Sequence, residues 1–296
     1  MKRSNKKFII PSAGALVVAA VLGISAIFGG GNASESKGAA PAASFSNVEN
    51  DFEVHFIDVG QGDSELIICD GEAMLIDGGP SKSSDVVYTY LKKHNITELK
   101  YMIATHTDED HIGGLSGALN FANVKEAFCS EKESDTKAWK SFVKYLDKEG
   151  APLNIPENGM SVKLGIADVT MYLPENTGEH DDNWSIVTRV TYGENSFLFT
   201  GDCTGDEEKA LMNSDAKLSA DVLKVAHHGS KSSSGQKFLK AVSPTYAIIS
   251  CGKNNSYGHP HEETLERLEK AGALVYRTDE RGDIIISSDG KQLSLK

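Results

Sequence analysis

Cysteine is scarce in this 296-residue chain and never closely spaced: Cys69, Cys129, Cys203 and Cys251 form no CxxC pair. That spacing excludes a zinc ribbon and a thioredoxin-like redox pair. Long apolar runs are just as rare. The one present, Phe8 to Phe28, is too little for a multi-span channel. Positive charge is also in short supply, with 30 Lys and Arg against 42 Asp and Glu. Beyond residue 33 the imbalance deepens to 26 basic against 42 acidic side chains, a formal charge of −16. Such a balance disfavours nonspecific attraction to a polyanion. Bound divalent cations would offset part of it locally, so an anionic substrate stays open.

The N-terminus departs from the rest. Lys2, Arg3, Lys6 and Lys7 precede the apolar stretch, and Gly29-Gly30-Gly31-Asn32-Ala33 follows it, the order of an export signal or a membrane anchor. Small residues at Gly31 and Ala33 suit cleavage, yet the run is about as long as the ~20 residues that span a bilayer, so residues 1–33 read as either. Residues 34–50, rich in Ser, Ala and Gly, read as a flexible linker. A single domain over 51–296 is the simplest organisation, large enough for a sizeable core. Its cysteines could pair in an exported protein; Cys69, Cys203 and Cys251 lie in or beside apolar runs, which favours buried free thiols.

Periodicity predicts an α/β fold built from two similar halves. Val54–Val59, Glu65–Cys69 and Ala73–Asp77 read as strands, followed by a helix over Ser84–His94 capped by Ser84 or Asp85, with Val86, Val87, Tyr90 and Leu91 on one face. A buried strand over Lys100–Ala104 and an amphipathic helix over Trp139–Lys148, with Phe142, Val143 and Leu146 inward, complete the first half. The second half repeats the scheme. Strands fall at Asp168–Leu173, Ile186–Tyr192, Ser196–Thr200, Asp221–Ala226 and Thr245–Ser250, with helices from Asp206 and over Glu262–Ala271. In both halves an apolar strand runs into a Gly/Asp turn, at Asp77-Gly78 and at Gly201-Asp202. Two sheets sandwiched between helices would leave such strand ends at one edge for chemistry.

The densest chemical signal is His106-Thr107-Asp108-Glu109-Asp110-His111, placed between a buried strand and Gly113-Gly114. Ligands in α/β sheets bind at the C-terminal ends of strands. Imidazole nitrogen mixed with carboxylate oxygen suits Zn²⁺, Mn²⁺ or Fe, whereas calcium sites seldom include histidine. The plain alternative is a solvated acidic loop. Three further segments carry candidates. Asp202 at a strand end could bridge two ions, or simply form a turn. His227-His228 ends another strand; neighbours on an extended backbone point to opposite faces, so one would ligate and the other bond to a carboxylate or pack inside. His259-Pro260-His261 precedes a helix, where imidazoles and helix amides together would favour a phosphate-like anion.

These segments together, with Phe56-Ile57-Asp58-Val59-Gly60-Gln61-Gly62-Asp63-Ser64 ahead of them and Arg277-Thr278-Asp279 and Ser288-Asp289-Gly290 behind, resemble the metallo-β-lactamase superfamily and, within it, the hydrolase domain of ComEC-like competence proteins. The resemblance covers about residues 52–296. It implies a four-layer αββα sandwich and a hydrolase using one or two divalent ions, Zn or Mn. Site one would use His106, Asp108 and Asp202; site two would use Asp110, His111, Asp202 and His228. His227, Asn183 and Asp77 are further candidates as ligands or as partners of ligands. Asp108 stands where the wider superfamily has a second His, a departure that shifts preference somewhat toward Mn²⁺. Asn183 stands near where the superfamily often supplies a further His.

The chemistry implied is phosphodiester hydrolysis by a metal-activated water. Asp110 would orient the nucleophile or take a proton, and His259 or His261 would stabilise a phosphoryl oxygen or protonate the leaving group. Lys231 and Ser230 are candidate substrate contacts. The expected partner is a phosphodiester substrate, with DNA the leading candidate and small or cell-wall phosphodiesters such as phosphocholine esters the alternative. A noncatalytic envelope-binding module is the reading from another class. The expected place is secreted, or anchored on the outer face of the membrane through the N-terminal segment if uncleaved, with no obligate protein partner evident.

Overall fold

A computed structural model describes residues 52–131, 133–174 and 184–296. The segments 1–33 and 34–50 and the candidate Asn183 lie outside the described residues. In chain order the strands are β1 (Phe52–Phe56), β2 (Glu65–Cys69), β3 (Glu72–Ile76), β4 (Glu98–Ala104), β5 (Asn123–Cys129), β6 (Leu153–Asn154), β7 (Met160–Leu164), β8 (Ala167–Tyr172), β9 (Val187–Tyr192), β10 (Asn195–Phe199), β11 (Val222–Lys224), β12 (Tyr246–Ile249), β13 (Leu274–Arg277), β14 (Ile284–Ser288) and β15 (Leu293–Leu295). One sheet has the order β15-β14-β1-β2-β3-β4-β5-β6 and the other β13-β12-β11-β10-β9-β8-β7.

The two halves share one pairing plan. From β14 across to β6, three antiparallel joints are followed by three parallel ones. From β7 across to β13 the sequence of joints is the same. The first sheet draws its strand β14 from the far end of the chain, pairing Phe52 with Ser288 and Phe56 with Ile284. This long-range closure was not expected from local periodicity.

Side-chain alternation sorts the residues into layers. Phe52, Phe56, Met74, Ile103 and Phe128 of the first sheet meet Val169, Phe197, Phe199 and Ile248 of the second in a central core. On the outer face of the first sheet, Leu66, Leu75 and Met102 pack against α1 (Ser84–Lys93) and, beyond α2 (Glu109–Ile112), against α3 (Leu115–Leu119) and α4 (Lys137–Glu149). Leu198, Leu223 and Ile249 do the same for α5 (Gly205–Met212), α6 (Gln236–Val242) and α7 (Glu262–Lys270), ahead of the short α8 (Thr278–Arg281). The result is the four-layer αββα sandwich. Burying a side chain such as Phe or Leu in these layers is worth about 1.5–3 kcal/mol each, so the core fixes the strand ends on which the polar residues sit.

Several local expectations need adjusting. Helix α1 begins at Ser84 after a 3₁₀ turn over Ser81–Ser83, so Ser83 rather than Ser84 or Asp85 occupies the cap position. Val87, Tyr90 and Leu91 face the sheet, whereas Val86 is 41% exposed, because one residue is a 100° step around a helix. Helix α4 starts two residues early, with the Thr136 hydroxyl accepting the Trp139 N–H at 3.1 Å, and buries Trp139, Phe142 and Leu146 while Val143 is half-buried. All four cysteines are buried and free. Among the described residues no helix is long and apolar enough to cross a membrane.

His55 lies buried under α1, its Nδ1 2.9 Å from the Tyr90 hydroxyl and its Nε2 3.1 Å from Glu53. Burial, and then repulsion from His94, push its pKa from 6.5 down to about 4. The folded state therefore binds fewer protons than the unfolded one between those values. Stability from this site is complete above about 6.5 and is lost as pH falls through about 4. The urea midpoint should fall across that window, and the fall should shrink in His55→Gln.

Candidate metal centre

The C-terminal ends of the central strands of both sheets deliver the polar residues to one edge. Asp77 follows β3, Thr105 and His106 follow β4, Asp202 follows β10, and His227 and His228 follow β11. The segment after β4 turns at Asp108 into the short helix α2, which carries Asp110 and His111. Glycines allow this loop to pack tightly against its neighbours. A Cβ at Gly114 would overlap the Gly78 carbonyl oxygen, and one at Gly62, whose φ is +142°, would overlap that of Asp110. Asp77, His227 and His228 take left-handed backbone, with φ of 53°, 51° and 52°, a conformation that costs a non-glycine residue free energy and clusters at functional sites.

The ligand candidates converge on Asp202. His111 Nε2 lies 3.1 Å from Asp202 Oδ1 and His228 Nε2 lies 3.6 Å from the same oxygen. His228 Nε2 is also 3.3 Å from Asp110 Oδ2, and His227 Nε2 is 3.7 Å from Asp202 Oδ2. Donor atoms of His106, His111 and Asp202 lie within 4.8 Å of one another, as do those of Asp110, His111 and His228. Yet Nε2 of His106, His111 and His228 and Oδ1 of Asp202 are buried without a hydrogen-bond partner. Buried polar atoms are almost always paired. Lone pairs aimed at a common point, on nitrogen and oxygen atoms, are what a divalent cation requires, so the residues present fit one or two such ions.

Behind the ligand candidates a further layer fixes their rings. Asp77 Oδ2 lies 2.7 Å from His111 Nδ1, while the Thr105 N–H and hydroxyl donate to Asp77 at 2.8 and 2.7 Å. His228 Nδ1 faces the Ser250 carbonyl at 3.0 Å and Asp63 Oδ1 at 3.0 Å. Both Nδ1 atoms thus face acceptors, which places the ring proton there and frees Nε2. Asp63 is itself held by the buried Lys224 ammonium at 2.6 Å, both side chains being 1% exposed.

The remaining candidates are placed as follows. Asp108 faces His106 Nε2 at 3.6 Å, but its side chain is 57% exposed and it joins none of the converging groups. His259 sits beside the centre, its ring 5.6 Å from His227 and 6.1 Å from His228. His261 precedes α7, and its Nδ1 accepts the Lys231 N–H at 3.1 Å. Lys231 is exposed, and the Ser230 hydroxyl lies 2.9 Å from that of Ser232.

The sequence profile of the metallo-β-lactamase superfamily matches residues 57–253, the stretch that carries every one of these strand ends from Asp63 to Ser250. The chain belongs to the metallo-β-lactamase superfamily. Its relatives include ComE operon protein 3 of Bacillus subtilis, 33% identical over 78% of this chain and 32% of that protein. Recombination protein 2 of Haemophilus influenzae is 30% identical over 80% of this chain and 29% of that protein. These are ComEC-like competence proteins, as the motifs implied, and the chain spans about a third of their length. Among solved structures, the metallo-β-lactamase fold protein YhfI from Bacillus subtilis superposes with a TM-score of 0.54 at 14% identity, over 83% of this chain and 100% of that one, a likeness of fold.

Electrostatics of this metallo-β-lactamase centre favour bound positive charge. Burial alone would raise Asp202, but His111 and His228 hold it well below the usual carboxylate range. Burial opposes the charged form of His111 as well, and Asp202 and Asp77 outweigh it to hold the imidazole well above its usual range. His228 is lifted to about 10, against burial, chiefly by Asp202 and Asp63. Cations must displace these protons to bind, so metal affinity rises with pH. Asp63, Lys224, Thr105 and Ser250 were not singled out from the sequence. A lysine inside the apolar run Val222-Leu223-Lys224-Val225-Ala226 was the available signal, since a charge on a buried strand needs a partner.

Proposed function

We propose that this chain is a metal-dependent phosphodiesterase acting on nucleic acid. The observation that carries the reading is the set of buried, unpartnered Nε2 atoms of His106, His111 and His228 converging with Asp202 Oδ1 beside Asp110. His106 and the shared Asp202 would hold one ion, Asp110, His228 and Asp202 another, with His111 within reach of both. The nitrogen and oxygen donors suit Zn²⁺ or Mn²⁺. When bound, such ions lower the pKa of water and stabilise negative charge developing on a phosphoryl oxygen. Recombination protein 2 and a competence protein among the relatives direct the choice of phosphodiester toward nucleic acid.

The chain's own residues supply the rest. Asp110 resists burial's upward push because His228 and His111 hold its pKa low, so its carboxylate is ionised and can accept a proton. Burial, then the neighbouring His228, His227 and His261, push His259 down to about 4. It is therefore neutral near pH 7 and acts as a hydrogen-bonding group on a phosphoryl oxygen rather than as a charged acid. Its Nδ1 faces Gln61 Nε2 at 3.5 Å, which leaves Nε2 to carry the proton.

Export follows from the basic, apolar and small-residue order of residues 1–33 and belongs to the same proposal: a secreted or outward-anchored hydrolase. The second reading, hydrolysis of small or cell-wall phosphodiesters, is favoured by the formal charge of −16 beyond residue 33. The test combines elemental analysis of the purified chain with assays on bis(p-nitrophenyl) phosphate and on single- and double-stranded DNA, under Zn²⁺ or Mn²⁺ and after chelation. Bound metal with chelator-sensitive DNA cleavage is expected. Cleavage of the small ester alone would transfer the assignment to small phosphodiesters, and absence of both metal and turnover would make the domain a binding module.

A further inference from the structure

A cleft of about 530 Å³ opens beside the metal centre, and its lining includes Asp110 and Gln61 together with Lys82, Lys253, Asn255 and Tyr257. Its size falls within the ~300–1,000 Å³ usual for small-ligand sites. Asp110 ties it to the ligand cluster directly, and Gln61 ties it to His259 through the 3.5 Å approach to that ring. Whatever lies in this cleft touches the reacting region.

Tyr257 is the unusual member. It is 64% exposed, one of few large hydrophobic side chains on the described surface, and its ring stacks on His259 with centroids 5.6 Å apart and an interplanar angle of 21°. The loop that carries it is firmly built. Asn255 Oδ1 accepts the N–H groups of Tyr257 and His259 at 3.1 and 3.0 Å, while Asn255 Nδ2 donates to the carbonyls of His259 and Gly252 at 2.6 and 3.0 Å. Gly252 N–H in turn donates to Gln61 Oε1 at 3.1 Å. An exposed aromatic ring held by such a lattice spends little conformational entropy on binding a flat partner. Lys82, in the 3₁₀ turn, and Lys253, on a loop, are exposed and set two positive charges beside the Glu109 and Asp110 carboxylates of the same lining.

We propose that this cleft is a nucleotide subsite, in which Tyr257 stacks on one base of a single-stranded nucleic acid while Lys82 and Lys253 contact phosphates flanking the bond at the metal centre. The inference rests on the phosphodiesterase reading and narrows it to unpaired strands. A base within a duplex already stacks on its neighbours and cannot offer its face to Tyr257. Stacking on an aromatic side chain is worth about 1–3 kcal/mol per base and is indifferent to base identity, so the subsite selects for a free strand and not for a sequence.

The test compares a short oligothymidylate with a strand of equal length carrying one abasic position, using the purified metal-loaded chain, its Tyr257→Ala and Tyr257→Phe variants and Lys82→Ala/Lys253→Ala. KM is read by cleavage, and binding is read separately by fluorescence anisotropy. The wild type should prefer the intact strand by about tenfold at the best-placed abasic position. Tyr257→Ala should collapse that preference toward one and Tyr257→Phe should keep it. The double lysine variant should weaken both strands alike and flatten the salt dependence of binding. Cleavage of DNA by the wild type with no preference for the intact strand would overturn the subsite and leave the phosphodiesterase reading standing. Tyr257-dependent binding without cleavage would support the subsite and overturn that reading. Neither binding nor cleavage would overturn both.

Discussion

Asp202→Asn is expected to strip the chain of most of its bound metal and to abolish metal-dependent turnover, and to lower the unfolding midpoint of the chelated protein through the lost attraction to His111 and His228. The substitution keeps the shape of the side chain and removes the charge on which His111 Nε2 and His228 Nε2 converge at 3.1 and 3.6 Å. Asp202 is the member common to both proposed ion positions, so both are weakened at once. The loss of affinity should exceed the ~10–100-fold typical when only a partner behind a ligand is removed. Asp77→Ala supplies that comparison, because Asp77 touches His111 Nδ1 at 2.7 Å and belongs to the layer behind. Elemental analysis and competition with a chromophoric chelator read both effects. Full metal content in Asp202→Asn would place the ions elsewhere.

Lys224→Met should cost the most stability of any single change considered, about 3–5 kcal/mol, because it leaves a carboxylate buried without its counter-charge. Lys224 and Asp63 are each 1% exposed and meet at 2.6 Å. The pair joins a strand of the second sheet to the loop between β1 and β2 of the first, so its loss is felt across the central core. Urea unfolding of the metal-free protein measures the cost. Adding Asp63→Asn to Lys224→Met should recover part of it, since no charge is then stranded; strictly additive losses would show that the two side chains do not act as a pair. Asp63 also faces His228, so the double variant should bind metal less well even where stability returns.

The strand ends and the polar side chains they carry were the legible part of this molecule. Apolar runs closing on Asp77, His106, Asp202 and His228 announce both the sheets and the edge at which these side chains meet, because a buried strand must end where the chain can again carry charge. Three things were not legible, each for a physical reason. Pairing of β14 with β1 joins residues more than two hundred positions apart, and local periodicity carries no trace of such a partner. The expectation that His227 and His228 diverge assumed extended backbone, whereas both residues are left-handed and both rings face Asp202. Asp108 lies 3.6 Å from His106 Nε2, the neighbour its spacing suggested, but the chain turns into α2 at that residue and leaves its side chain 57% exposed.

The pairing of Phe52 with Ser288 also sets how the domain is held. Strand β1 runs parallel to β3 within its sheet, since each is antiparallel to β2. Its first residue therefore lies at the opposite rim from Asp77, a strand's length of roughly 17 Å away. Glu53 and Lys296 form an ion pair at that same rim, so both ends of the described domain gather behind it. The candidate metal centre, carried by the opposite ends of β3, β4, β10 and β11, is thereby left clear of the rim at which β1 begins.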